Sequence, residues 1–200
     1  MAESDQEYGL SVQHASERID APVLPYQPCN LKSYSPTIGL IGCGGLTEYH
    51  LAAYKHAGYD VTALCDIELD RAEKRRDEFF PNASSCSAFR EVLDDPSIDV
   101  VDIATHPKER VANVQAAIEA GKHVLSQKPF VEDIRTGEEL VTLADLRGVK
   151  LAVNQNGRWS PHWSYMRDAI AAGCIGNLST ADFTVQWDHN WVRDTPFNDI

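Results

Sequence analysis

The sequence predicts an α/β fold, a doubly wound parallel sheet followed by the beginning of an α+β second domain. From Thr37 onward, apolar runs of strand length alternate with amphipathic helical stretches, the pattern of a parallel sheet covered on both faces. The first run passes directly into Gly42-Cys43-Gly44-Gly45, and an acid, Asp66, closes the second run 66 − 44 = 22 positions after Gly44. The four tryptophans, Trp159, Trp163, Trp187 and Trp191, all lie beyond Asn154, where the vocabulary changes and a second domain is expected.

Residues 1–35 are polar and acidic, with Pro22, Pro25 and Pro28 spread through them, a composition that favours a mobile leader over a packed element. Thr37–Ile41 reads as the first strand. Residues 46–56 follow as a helix, because Leu46, Tyr49, Ala53 and Ala57 recur at helical spacing. Residues 61–65 form the second strand, and residues 69–80 a charged helix stopped by Pro81. A short strand at 83–86 and a helix at 88–93 come next. Then come a strand at 100–104, a helix at 110–120 ended by Gly121, and a strand at 123–126. Ile134–Arg147 is a helix closed by Gly148, and residues 150–154 are the sixth strand. Beyond it, Pro161 suits the first position of a helix capped by Ser160. That helix, 161–172, ends at Gly173. Residues 178–187 read as a strand with Phe183, Val185 and Trp187 on one side. One helix and one strand cannot form a stable sheet layer by themselves. The expected division is therefore a leader at 1–35, a cofactor domain at 36–155 and the truncated start of a second domain at 156–200.

Composition narrows the function. Eighteen basic against thirty acidic residues give a net charge of −12, which disfavours nucleic acid and anionic membranes as partners. Five scattered cysteines, with no C-x-x-C pair, argue against a disulfide framework and against a zinc site. The histidines share no metal-ligand spacing. Without a signal-peptide pattern or an apolar run of roughly 18 residues, the cytoplasm is the expected location.

The glycine turn carries the chemistry. Gly42-x-Gly44 follows a strand and opens a helix, so backbone N–H groups and the helix dipole can face a pyrophosphate. Gly42 permits the tight turn, and Gly44 lets the backbone approach the phosphates. Asp66 can accept both ribose hydroxyls and repel a 2′-phosphate, favouring NAD over NADP. Arg71, five residues on, can soften that preference. The same residues also admit a structural reading, in which the glycines serve a turn and Asp66 caps the next helix. Thr47 stands where a third glycine or alanine is usual. No P-loop is present, since His123 follows Gly121-Lys122.

Further segments carry a resemblance. Gly42-Cys-Gly-Gly-Leu46 with His50 downstream, Cys65-Asp66 followed by Arg71-Ala72, and Asp99-Val-Val-Asp-Ile-Ala-Thr105 come first. Ala120-Gly-Lys-His-Val124 runs into Lys128-Pro129, and Asn154-Gln155-Asn156 and Gly173-Cys-Ile-Gly176 follow. In this order they resemble the glucose-fructose oxidoreductase, inositol dehydrogenase and rhizopine-catabolism family, Gfo/Idh/MocA, with a Rossmann cofactor domain. The resemblance implies hydride transfer between NAD(P) and a carbinol of a sugar, inositol or similar polyol by a homo-oligomer. In it Gly42, Gly44, Gly45 and Leu46 hold the pyrophosphate, and Asp66 the adenosine ribose. Thr105, Gln127 and Asn156 flank the nicotinamide, and Lys128 is the catalytic residue.

Three departures from the family's pattern bear on activity. Gln127 replaces the commoner Glu before Lys-Pro, which removes a negative charge beside Lys128. Arg110 stands where a histidine is usual. The Asp and His that partner the lysine in the family are expected beyond Ile200. Asp188-His189 is a substitute only on a strained reading and is more simply a polar strand end. Trp159 and Trp163 can stack on a sugar ring, although core or interface packing is the simpler role for all four tryptophans. A dinucleotide-binding protein without catalysis, a sensor or a truncated relative, is the alternative. A methyltransferase sharing the glycine turn has no use for the Lys-Pro element.

Overall fold

The computed structural model describes residues 20–28 and 33–186. The chain divides into two compact units, Pro28–Ser160 and a second made of Met1–Gln27 with Pro161–Ile200.

In the larger unit, strands and helices alternate: β1 (Thr37–Ile41), α1 (Thr47–Ala57), β2 (Asp60–Cys65), α2 (Leu69–Phe79), β3 (Ser84–Cys86), α3 (Phe89–Asp94) and β4 (Val100–Ile103). They continue with α4 (Pro107–Glu119), β5 (His123–Gln127), α5 (Ile134–Arg147), β6 (Leu151–Asn154) and a 3-10 turn at Asn156–Trp159. The six strands form one sheet in the order β3-β2-β1-β4-β5-β6, and every pairing is parallel. Strand order reverses between β1 and β4. In open α/β sheets ligands bind at such a reversal, beyond the carboxyl ends of the strands.

Alternation along β1 explains why both faces of the sheet are apolar. Ile38 and Leu40 join Leu51, Val61, Leu64 and Ala72 in one buried cluster, which α1 and α2 cover. Ile41 joins Ala63, Cys65, Val101, Ile103 and Val124 on the other, beneath α3, α4 and α5. Truncating a fully buried member such as Leu40 or Ile103 costs about 2–5 kcal/mol.

Two sequence expectations shift. Helix α4 begins at Pro107, three residues before the expected start, because proline suits a first helical turn. The apolar pattern starts later there because the charged Arg110 is itself buried. The strand expected at 178–187 is not formed over 178–186, which are exposed and in no ladder. An alternating pattern becomes a strand only when a neighbour supplies the ladder hydrogen bonds, and no described residue does so. Trp187, Trp191, Asp188-His189 and residues 1–19 of the leader lie outside the described residues.

In the smaller unit, helix α6 (Pro161–Ala171) carries Tyr165, whose hydroxyl donates to the Pro22 carbonyl at 2.8 Å. The Tyr26 ring meets the Tyr165 ring edge-on at 5.5 Å, so this part of the leader is tied to α6. Trp163 packs against Phe183, with ring centroids 5.7 Å apart. Among the described residues, no helix is long and apolar enough to cross a membrane.

Candidate functional site

The β1–α1 turn is built on one residue that must be glycine and two that leave room. Gly42 has φ +94°, and a Cβ on it would lie 2.8 Å from the Ala104 carbonyl carbon. Only glycine lets β1 end so close to the chain leaving β4. Gly44 and Gly45 differ, because an added Cβ would meet nothing within 4 Å. Above them the backbone is open. Leu46, half exposed, precedes α1, and no side chain caps that helix. The Thr47 and Tyr49 N–H groups turn back onto the Gly44 and Leu46 carbonyls at 3.2 and 3.1 Å, and the positive end of the helix dipole still faces the open side of the turn. Thr47 in the third-glycine place is buried, and its hydroxyl closes the turn onto the Gly44 carbonyl at 2.6 Å.

Asp66 sits at the end of β2 and holds this turn in place. One carboxylate oxygen accepts the Cys43 backbone N–H at 2.8 Å, and the other accepts the Glu68 N–H at 2.9 Å. The structural and binding readings of this acid thus coincide, since each oxygen keeps a further lone pair for a ribose hydroxyl. Beside it, burial and the Asp66 charge push the Cys43 thiol up to about 12. Arg71, on the exposed start of α2, pairs with Glu68 at 3.0 Å.

A buried polar cluster lies across β4, β5 and β6. Asp102 of β4 is fully buried, and one of its oxygens takes both His50 Nδ1 at 2.7 Å and the Tyr54 hydroxyl at 2.8 Å. The Gln127 amide nitrogen at the end of β5 and that of Asn154 in β6 each lie 3.2 Å from His50 Nε2. Gln127 then accepts the Lys128 backbone N–H at 2.7 Å. Burial lowers the His50 pKa, but the hydrogen bond and charge of Asp102 outweigh it and leave the value raised above 6.5. Lys128 itself is exposed and opens the cis Lys128-Pro129 loop.

Arg110 joins the two loops at this end of the sheet. Its guanidinium donates to the carbonyls of Thr105, after β4, and of Pro129, after β5. Burial lowers its pKa from the ordinary arginine value. Asn113 reaches the Thr105 hydroxyl at 3.4 Å.

The sequence matches the oxidoreductase family with an NAD-binding Rossmann fold over residues 37–155. The chain belongs to this family. A scyllo-inositol 2-dehydrogenase (NADP(+)) of Bacillus subtilis is 33% identical over 140 residues, 68% of this chain and 39% of the relative. The D-apiose dehydrogenase of Paraburkholderia graminis is 32% identical over 138 residues, 68% of this chain and 36% of the relative. The chain thus spans under two fifths of the length of these two relatives. An oxidoreductase from Agrobacterium radiobacter, solved with NAD+, L-tartaric acid and magnesium, superposes with a TM-score of 0.68. That match is 26% identical and covers 72% of this chain and 42% of the other.

Within the family's fold, the structure brings Gly42, Gly44, Gly45, Leu46 and Asp66 to the ends of β1 and β2, and Thr105, Gln127 and Lys128 to those of β4 and β5. Asn156 is placed differently. It lies exposed in the 3-10 turn, while Asn154, two residues earlier, reaches the His50 cluster. The cluster itself was missed as a unit. Its signal was Asp102, an acid inside Val100-Val-Asp-Ile103, since an acid in a strand buried on both faces must have partners.

Proposed function

We propose that this chain carries the cofactor half of an NAD-dependent dehydrogenase that oxidises a carbinol of a sugar, inositol or similar polyol. Residues 36–155 are the cofactor domain, and residues 156–200 begin a substrate and oligomerisation domain after a leader at 1–35. The family, and the sugar and cyclitol names of its relatives, support the substrate class. The open backbone over Gly44 and Gly45, beside the Asp66 carboxylate, is the observation that carries the reading.

Gly44, Gly45 and Leu46 would hold the pyrophosphate through backbone N–H groups. Gly42, whose own N–H donates to the Cys65 carbonyl at 2.8 Å, would shape the turn beneath it, and Asp66 would hold the adenosine ribose, with Arg71 at its rim. Thr105, Gln127 and Asn156 flank the nicotinamide end. NAD held there would supply the acceptor for the hydride that leaves the carbinol carbon. Lys128 Nζ holds the substrate oxygen and moves its proton, so the C–O bond becomes a carbonyl without leaving a free alkoxide. Arg110 fixes the two loops that present Thr105 and Lys128.

A cytoplasmic homo-oligomer with a small-molecule substrate, and with neither nucleic acid nor membrane as partner, belongs to the same reading. Free thiols at Cys43, Cys65, Cys86 and Cys174 suit a reducing compartment. Exposed Ile175, Leu178, Phe183 and Val185 suit a surface that another layer covers.

Replacing Lys128 by Met tests the reading. NAD-linked turnover on a panel of sugars and cyclitols should vanish, while NADH titrated by fluorescence binds almost as before. Undiminished turnover would overturn the role of the lysine, and failure of the unaltered protein to bind NADH would overturn the cofactor site.

A further inference from the structure

His50 is placed between two demands that together fix where its proton lies. A carboxylate can only accept, so the 2.7 Å contact of Nδ1 with Asp102 puts a proton on Nδ1. In the neutral ring Nε2 is then a bare lone pair. What faces it are two amide nitrogens, Gln127 Nε2 and Asn154 Nδ2, both donors. The Gln127 amide is oriented from both ends. Its oxygen takes the Lys128 N–H at 2.7 Å and its nitrogen faces the histidine. Turning the amide over would break both contacts, and Gln127, Asp102 and His50 are all buried, where an unmatched polar group is costly.

We infer that His50, keyed by Asp102, is a positioning residue whose bare Nε2 holds the Gln127 amide in the orientation that fixes the Lys128 backbone. Tyr54 shares the Asp102 oxygen and keeps the carboxylate turned toward the ring. The relay runs from Asp102 through His50 and Gln127 to Lys128. Its value for catalysis rests on the proposed role of Lys128, but its proton arrangement does not.

Nitrogen-15 NMR of the histidine side chains in the full chain at alkaline pH reads the tautomer directly. The expected result is a proton on Nδ1 of His50, and a proton on Nε2 would overturn the inference. Asp102→Asn supplies the second arm. An asparagine amide can donate to Nδ1, which frees the ring proton to move to Nε2, where it meets the Gln127 nitrogen. Gln127 must then turn, and exchange of the Lys128 amide hydrogen should quicken about tenfold. Turnover should fall while NADH affinity holds. Adding Gln127→Glu should restore the slow exchange, because a carboxylate accepts from Nε2–H and from the Lys128 N–H together. A role in packing alone predicts no such rescue. Unchanged exchange in D102N, or a folded D102N/Q127E protein in which the Lys128 amide still exchanges fast, would refute the relay. Should D102N fail to fold, the tautomer of the unaltered chain decides. Loss of NADH binding by the unaltered protein would strike the proposed function and leave the tautomer result standing.

Discussion

The Asp66 carboxylate accepts the Cys43 backbone N–H at 2.8 Å, which ties the end of β2 to the turn after β1. The acid proposed to read the ribose therefore also shapes the turn proposed to hold the phosphates. Replacing Asp66 by Ala should lower the urea midpoint by an amount worth about 1–3 kcal/mol, since a buried amide loses its acceptor, and should remove NADH binding as well. Asp66→Asn keeps an acceptor for the turn but loses the charge. It should retain most of the stability and narrow the preference for NAD over NADP. Wild-type stability in the alanine variant would show that the turn stands without this bond.

Gly42 and Gly44 are two residues apart, yet they should fail in opposite ways. Alanine at 42 meets a left-handed φ and the backbone of Ala104 and Thr105, so it should destabilise the fold by about 1–3 kcal/mol or more. Alanine at 44 meets nothing in the protein. Its melting temperature should stay near that of the parent, while NADH affinity falls on the order of tenfold because the Cβ would stand where the diphosphate is proposed to rest. Thermal melts and NADH titration of both variants check the contrast. Equal effects would remove the distinction between a turn glycine and a cradle glycine.

That contrast also shows what could be read from the chain beforehand. Strand β1, helix α5, the glycine turn and Asp66 follow from apolar runs punctuated by glycines and a charged strand end, all signals local to a few residues. The partnership of His50 with Asp102 is not local. Those residues are 52 apart in sequence, and His50 and Asn154 are 104 apart. They meet because the strand order sets β1 beside β4 and β5 beside β6. Asn154 and Asn156 are equivalent in composition, and only the end of β6 at Asn154 decides which one faces the cluster. For residues 178–186 the periodicity was present, but a strand also needs a neighbour.

The cysteines make the fold sensitive to alkali. Burial, aided by the Asp66 charge, raises the Cys43 thiol from 9.0 to about 12, and burial likewise raises Cys65. A folded-state value above the unfolded one means that the contribution is fully present below pH 9 and is lost as pH rises toward 12. Each such thiol should cost about 1.4 kcal/mol of stability per pH unit within that window. Denaturation between pH 8 and 11 should therefore show a falling midpoint, with a shallower fall for Cys43→Ala. At pH 8.5, iodoacetamide should modify exposed Cys174 while Cys43 and Cys65 stay protected. Rapid alkylation of Cys43 in the native protein would contradict its burial.

Arg110 is the last test of how the loops are held. Its planar fork donates to two carbonyls on different loops, those of Thr105 and Pro129, a geometry that a lysine ammonium on a flexible stem does not reproduce. Replacement by Met preserves bulk and relieves a buried charge, but strands both acceptors. The net loss should be about 1–3 kcal/mol of stability. Binding should report the location of the damage. The proposed adenosine site is at β1 and β2, away from these loops, so ADP-ribose affinity should hold while NADH affinity drops. Arg110→Lys should fall between Met and the parent. If the lysine variant bound NADH as well as the parent protein, the two-carbonyl clamp would not be what positions Lys128.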